Sequence, residues 1–234
     1  MGERLPRLSF VANFGLAIDG QGNAWIGGAT TSQDLAATTP NLGSFAGGLT
    51  DLYLAKLNTD GSQFTYTSYL GGGGLDLFTR LALDAQGNVH LTAYTNSRNF
   101  PTSNGLNKAF LGGEYDGYYC KVAADGSSIL YGTYFGGQSD DYLISLAVTS
   151  AGEAIPGGTT NSANFPVTAD ALDPGPARKA QPFLSALNAA GSQLISSGFF
   201  GGTDATSFAD IQSDPKVTSM FPASPRALAS YDPT

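Results

Sequence analysis

The sequence predicts an all-β fold, a β-propeller of four-stranded antiparallel blades with a 65-residue repeat, and three observations predict it. A hairpin text recurs at residues 51–72 (DLYLAKLNTDGSQFTYTSYLGG), 116–137 (DGYYCKVAADGSSILYGTYFGG) and 181–202 (QPFLSALNAAGSQLISSGFFGG), each copy 65 residues after the last. A shorter text keeps the same beat: LAID at 16–19, LALD at 81–84 and LAVT at 146–149, with IQSD at 211–214 on the next. Finally, the apolar residues alternate as in strands, and no segment of useful length carries a helical period.

Each unit opens with a strand ending in LAID, LALD or LAVT. A turn follows (Gly20-Gln21-Gly22-Asn23, Ala85-Gln86-Gly87-Asn88, Ser150-Ala151-Gly152-Glu153), then a second strand, AWIGGATT, VHLTAYTN or AIPGGTTN, which completes a hairpin. A long polar connection comes next and includes Asn99-Phe100-Pro101-Thr102 and its counterpart Asn164-Phe165-Pro166-Val167. In the third strand Tyr118, Cys120 and Val122 alternate with Tyr119, Lys121 and Ala123. The Ala124-Asp125-Gly126-Ser127 step turns the chain, residues 129–135 return as a strand rich in aromatic and β-branched residues, and Gly136-Gly137 ends it. Blades are therefore expected at about 16–70, 81–135 and 146–200. LALD and VHLTAY show no clean polar face, as expected where both faces of a strand are covered.

Three blades and a fraction do not close a ring, because the smallest propellers have about four, and an open blade face exposes a large apolar patch. The expected solution is a fourth blade built from both termini, residues 211–224 with residues 8–14, whose LSFVANF resembles the closing strand LYGTYF. Pro215, Pro222, Pro225 and Pro233 make the tail a poor strand donor, so an open edge and the C-terminal tail are expected to engage a neighbour, a partner protein or a second copy.

Composition narrows the function classes. A chain of 234 residues with 41% hydrophobic residues can bury a sizeable core, and only 13% of it is charged. A net charge of −8 leaves no positive footprint for a nucleic-acid backbone. One cysteine allows no intrachain disulfide. No stretch approaches the ~18 apolar residues of a membrane helix, and the opening MGERLPRLSF has no apolar signal core, so an exported chain would have had its signal removed. Low charge with abundant Gly, Ser, Thr and Asn points to an extracellular, cell-surface or periplasmic protein.

Few residues suggest chemistry. The single histidine, His90, shares a register with Trp25 and Ile155 and so reads as a packing position. Cys120 stands where Ala55 and Ser185 stand and reads as a small buried side chain. Asp60-Gly61 and Asp125-Gly126 lack the alternating ligands of a calcium loop and read as turns. The candidates for a cation, calcium in the first place, are Asp140 and Asp141, adjacent carboxylates in a glycine-rich loop, and Asp19 and Asp84, expected with Asp214 near one mouth of an axial channel if the first strands are innermost. Residues 71–74, four glycines, precede no helix and read as a flexible connection rather than a phosphate cradle. Phe100, Phe110 and Tyr115 are candidates for a sugar-stacking platform, although the recurrence of Phe100 as Phe165 favours a plug between blades.

The strings LALDAQGNVHLTAYTNSRNFPT and DGYYCKVAADGSSILYGTYFGGQSDDY resemble the bacterial β-propeller repeat called SBBP, a relative of the NHL repeat, and the likeness covers residues 16 to about 202. It weakens toward the C-terminus: Pro156 falls inside a strand, Arg178 replaces a Gly of the Gly47-Gly48 and Gly112-Gly113 pairs, and Thr206 stands where Asp76 and Asp141 stood. The resemblance implies a secreted or cell-surface propeller in which binding is commoner than catalysis, with no catalytic residues. The expected function is thus a non-catalytic protein-interaction or structural assembly module. The rivals are a glycan-binding lectin and a carboxylate-dependent hydrolase.

Overall fold

The computed structural model describes residues 14–171, 173, 175 and 180–199. Among these residues the chain forms twelve strands in three four-stranded sheets, each a simple antiparallel meander. The first sheet holds β1 (Phe14–Ile18), β2 (Ala24–Thr30), β3 (Asp51–Leu57) and β4 (Phe64–Leu70). The second holds β5 (Asp76–Leu83), β6 (Val89–Thr95), β7 (Asp116–Val122) and β8 (Ile129–Phe135). The third holds β9 (Asp141–Val148), β10 (Ala154–Thr160), β11 (Gln181–Leu187) and β12 (Leu194–Phe199). The sequence period survives as pairing: Leu16 faces Ile26, Leu81 faces Leu91 and Leu146 faces Pro156.

Turn chemistry sets these registers. Gly22, Gly87 and Gly152 close the first hairpin of each sheet at φ 86, 80 and 82°, a left-handed backbone that only glycine adopts without strain. Pro156, inside β10, interrupts the pairing on one side only. It pairs with β9, while the ladder from β10 to β11 passes over Ile155 and Pro156, since proline has no N–H to donate.

The sheets pack face to face in chain order. Trp25, Leu52, Leu54 and Tyr66 of the first sheet meet Phe78, Leu91, Tyr118, Cys120 and Tyr134 of the second in one apolar core. On the opposite face of the second sheet, Tyr119, Tyr131 and Phe135 meet Leu143, Leu146, Phe183 and Phe199 of the third. This is why β7 is buried at every position and why its sequence lacks a polar face. The first strands lie side by side, β1 against β5 and β5 against β9.

Three readings change. Among the described residues the sheets form an open stack of three, and the expected fourth blade lies outside them apart from Phe14. That residue begins β1, opposite Gly28, instead of ending a closing strand. Strands β5 and β9 start at Asp76 and Asp141, five residues ahead of Leu81 and Leu146. The loop after β4 is anchored where a flexible connection was expected. Gly72 N donates to Asp76 Oδ2 (2.7 Å), Gly73 N to Asn99 Oδ1 (2.8 Å), Gly74 N to Ser97 Oγ (2.8 Å) and Leu75 N to Asn96 Oδ1 (2.6 Å). One period later Gly137, Gln138 and Ser139 donate to Asp141, Asn164 and Ser162 in the same way. Each amide freed from the ladder thus has a side-chain acceptor.

Candidate functional site

Two constellations concentrate the polar and titratable side chains buried in the stack, and both follow the repeat. The first grows from the turn after the opening strand. Asp19 accepts hydrogen bonds from Gln21 N (3.0 Å), Asn23 N (2.9 Å) and the Asn23 amide, and pairs with Lys56 at 2.9 Å. Lys56 also lies over the Trp25 ring, 5.2 Å from its centroid. Burial alone would raise the Asp19 pKa, but Lys56 and Asn23 hold it well below the carboxylate range. Asp84 repeats the cap with Gln86 and Asn88 and the ion pair, here with Lys121 Nζ at 2.7 Å, and adds one partner, His90 Nε2 at 3.3 Å. Against the effect of burial, His90, Lys121 and Asn88 hold Asp84 strongly ionised.

His90 is not simply packed, as its register suggested; it is the middle of a buried polar chain. Its Nδ1 lies 2.7 Å from Tyr119 Oη, and Tyr119 Oη bonds Tyr131 Oη. Burial lowers the His90 pKa and the nearby Lys121 charge acts in the same direction, against the raising effect of Asp84, so the neutral ring is favoured. One assignment then satisfies every atom: Tyr131 donates to Tyr119, Tyr119 donates to Nδ1, and Nε2–H donates to Asp84. A carboxylate, an imidazole and two phenols in line can polarise one another, but His90, Tyr119 and Cys120 have no exposed surface for a substrate. Burial also pushes the Cys120 thiol far up, away from the reactive thiolate.

The second constellation lies at the seams between sheets. Asp51 and Asp116 open β3 and β7, Asp76 and Asp141 open β5 and β9, and all four are completely buried. Asp76 accepts from Gly72 N and from the Thr95 and Ser97 hydroxyls. Asp141 accepts from Gly137 N (2.6 Å) and Ser162 Oγ (2.7 Å). Asp51 accepts through Oδ2 from Ala46 N, and Asp116 through Oδ2 from Leu111 N. Oδ1 of each has no hydrogen-bond partner. A Cβ at Gly71 would lie 2.7 Å from Asp51 Oδ1 and 2.9 Å from Asp76 Oδ2, so the chain between the two carboxylates has to be glycine. Burial, reinforced by the neighbouring Asp76, pushes Asp51 up to about 6. Burial and Asp141 likewise push Asp116 up to about 7. Each seam therefore holds a carboxyl group that keeps its proton well above the usual carboxylate range.

Among the described residues the candidate cation ligands are not brought together. Asp140 and Asp141, though adjacent, serve different partners: Asp140 Oδ1 accepts from Glu114 N (2.6 Å) and Tyr115 N (3.3 Å), and Asp141 faces the seam. Asp19 and Asp84 are each matched within their own sheets, and Asp214 lies outside the described residues. Among those residues no three His, Cys, Asp or Glu side chains are grouped so as to hold a metal ion. The aromatic platform also divides. Phe100 is buried against Tyr118 (4.0 Å) and Phe110 packs edge-on to Tyr134 (5.9 Å). Tyr115 belongs with Tyr94 and Tyr142 instead. The pairings of Asp51 with Asp76 and of Asp116 with Asp141 were missed, although aspartate at the same register at the head of both third strands was their visible sign.

Comparison with known proteins finds no family model that matches the chain and no curated protein that matches it.

Proposed function

We propose that the chain is a β-propeller of the SBBP type that acts outside the cytoplasm as a non-catalytic protein-interaction or structural assembly module. One observation carries the reading. Leu16 and Ile18 on β1 are 65% and 59% exposed. Their equivalents Leu81 and Leu83 pack against the first core, and Leu146 and Val148 pack against the second. The same apolar pair that each later sheet uses to seat itself on its predecessor is thus uncovered on the first sheet, and uncovered apolar sheet faces favour a further sheet. The adjacency of β1, β5 and β9 supports a propeller arrangement, and the low-charge composition supports a site of action outside the cell. The reading requires neither a cofactor nor a reaction.

Light scattering on the size-excluded chain tests it. The expected species at high concentration is larger than the 24.1 kDa monomer. L16S/I18S should return it to a monomer, and removal of residues 222–234 should weaken it. A monomer at all concentrations, with stability unaffected by L16S/I18S, overturns the reading.

A further inference from the structure

At the second seam three tyrosines meet: Tyr94 near the end of β6, Tyr115 just before β7 and Tyr142 at the start of β9. Ring centroids lie 5.2 Å apart for Tyr94 and Tyr142, 5.8 Å for Tyr94 and Tyr115, and 6.0 Å for Tyr115 and Tyr142. All three are half-buried. Two carboxylates flank them, the exposed Glu114 and the partly exposed Asp140.

The first seam is an internal control. Its backbone is the same at this point: Asp76 N donates to Thr50 O (3.1 Å), as Asp141 N donates to Tyr115 O (2.8 Å). One period earlier, however, the five positions read Ala29, Leu49, Thr50, Leu75 and Leu77 in place of Tyr94, Glu114, Tyr115, Asp140 and Tyr142. Small and aliphatic residues therefore suffice to build the seam, and Leu49 is left 71% exposed there. Packing demands neither three phenols nor two acids. All five replacements nevertheless converge on one exposed spot.

The electrostatics of the spot are of one sign. Tyrosine faces carry the negative lobe of the ring quadrupole. Asp140 is held beside Tyr115 by the amides of Glu114 and Tyr115 at Oδ1, and among the described residues Oδ2 has no protein partner. The pKa values of the Tyr115 and Tyr142 hydroxyls are raised first by burial and then by the charges of Glu114 and Asp140. Such a surface favours a cation with a flat face that can lie on a ring while its edge forks to a carboxylate. A guanidinium meets both conditions; an ammonium has no flat face.

We infer that Tyr94, Tyr115 and Tyr142, with Asp140 and Glu114, form a receptor for an arginine side chain of a partner protein. The site is separate from the Leu16 and Ile18 face, so either proposal stands if the other fails. Binding of acetyl-Gly-Arg-Gly-amide to the full chain, followed by calorimetry and by the tyrosine ring resonances, tests it. Saturable binding is expected, with Tyr94, Tyr115 and Tyr142 signals moving. Y94A/Y115T/Y142L, which copies the first seam, should weaken binding at least tenfold. D140N/E114Q, which keeps an acceptor for the loop amides, should weaken it about fivefold or more. The lysine tripeptide should bind at least fivefold more weakly, and a methyl glycoside not at all. The inference is overturned by absence of saturable arginine binding, by binding unchanged in D140N/E114Q, by equal affinity for lysine, or by binding of the glycoside in place of arginine.

Discussion

The second and third sheets share a backbone and differ in what fills it. At one register the second sheet carries Asp84, His90, Tyr119, Lys121 and Tyr131, a continuous polar chain closed by an ion pair. The third carries Thr149, Ile155, Leu184, Ala186 and Ser196, and the small apolar cluster of Ala147, Ile155 and Ala186 takes the place of the chain. The first sheet stands between them, with Asp19, Lys56 and Trp25 but no histidine. The turn itself asks for very little: Thr149 Oγ1 accepts from Glu153 N at 3.2 Å where an aspartate does so elsewhere. The difference teaches that a turn acceptor is replaceable alone, whereas the buried ion pair is kept with both members, as in the first two sheets, or lost with both, as in the third, because a member left behind is an uncompensated charge.

The sharpest way to break this comparison is to remove Asp84. D84A strands Lys121 and His90 without their shared acceptor and should cost about 3–5 kcal/mol, while T149A at the same register should cost about 1 kcal/mol. Urea midpoints of the two variants measure the contrast, and equal losses would refute it.

A smaller effect probes how sheets lock together. Gly126 has φ +74°, and a Cβ there would lie 2.2 Å from the Tyr66 ring, whose hydroxyl donates to Gly126 O at 3.0 Å. Gly191 meets Tyr131 in the same way, but Gly61, at φ +71°, has nothing within 4 Å because no described sheet precedes it. G126A should therefore cost about 2–4 kcal/mol and G61A only the backbone strain of about 1 kcal/mol. Thermal unfolding of both variants reads the difference, and comparable losses would remove the interlocking role.

The dependence on pH separates the seams from the His90 network. Asp51 and Asp116 rise from 3.8 to about 6 and about 7, so between those limits the folded chain holds more protons than the unfolded one. Their contribution to stability is complete below about pH 4 and is lost as pH rises through about 6–7. Burial raises Asp76 and Asp141 in the same direction, while His90, whose pKa burial lowers from 6.5, opposes these seam carboxyls by weakening the fold on acidification. The urea midpoint should fall between about pH 5 and about pH 8, and D51N/D116N should flatten that fall. A wild-type midpoint that rises over this range would show that the seams are ionised throughout. The smallest change is expected from D84T/H90I/K121A, which moves the pattern of the third sheet into the second. Removing these three together, which leaves Tyr119 and Tyr131 to bond each other, should alter stability by less than about 1.5 kcal/mol, and a loss as large as that of D84A would mean that the polar chain stabilises in its own right.

By itself the sequence determined the strands, their order and their turns. Strand alternation, Asp-Gly turns and glycines at positive φ are local matters, and a strict 65-residue period repeats whatever local physics dictates. Burial of Phe100 and Phe165 was legible for the same reason, since an aromatic kept at one register marks a recurring gap. Only the tertiary structure decided which side chains meet across sheets. Asp51 approaches Asp76 across 25 positions of chain, and Tyr142 reaches Tyr94 across 48, through the stacking of one sheet on the next. His90 illustrates the limit most plainly: set beside Trp25 and Ile155 in sequence it looked like packing, and it became the centre of a hydrogen-bonded chain because Asp84, Tyr119 and Lys121 arrive from neighbouring strands. The physical reason is that a register specifies the volume and face of a position, whereas the charge and hydrogen bonding found there depend on side chains brought from elsewhere by the packing of the sheets.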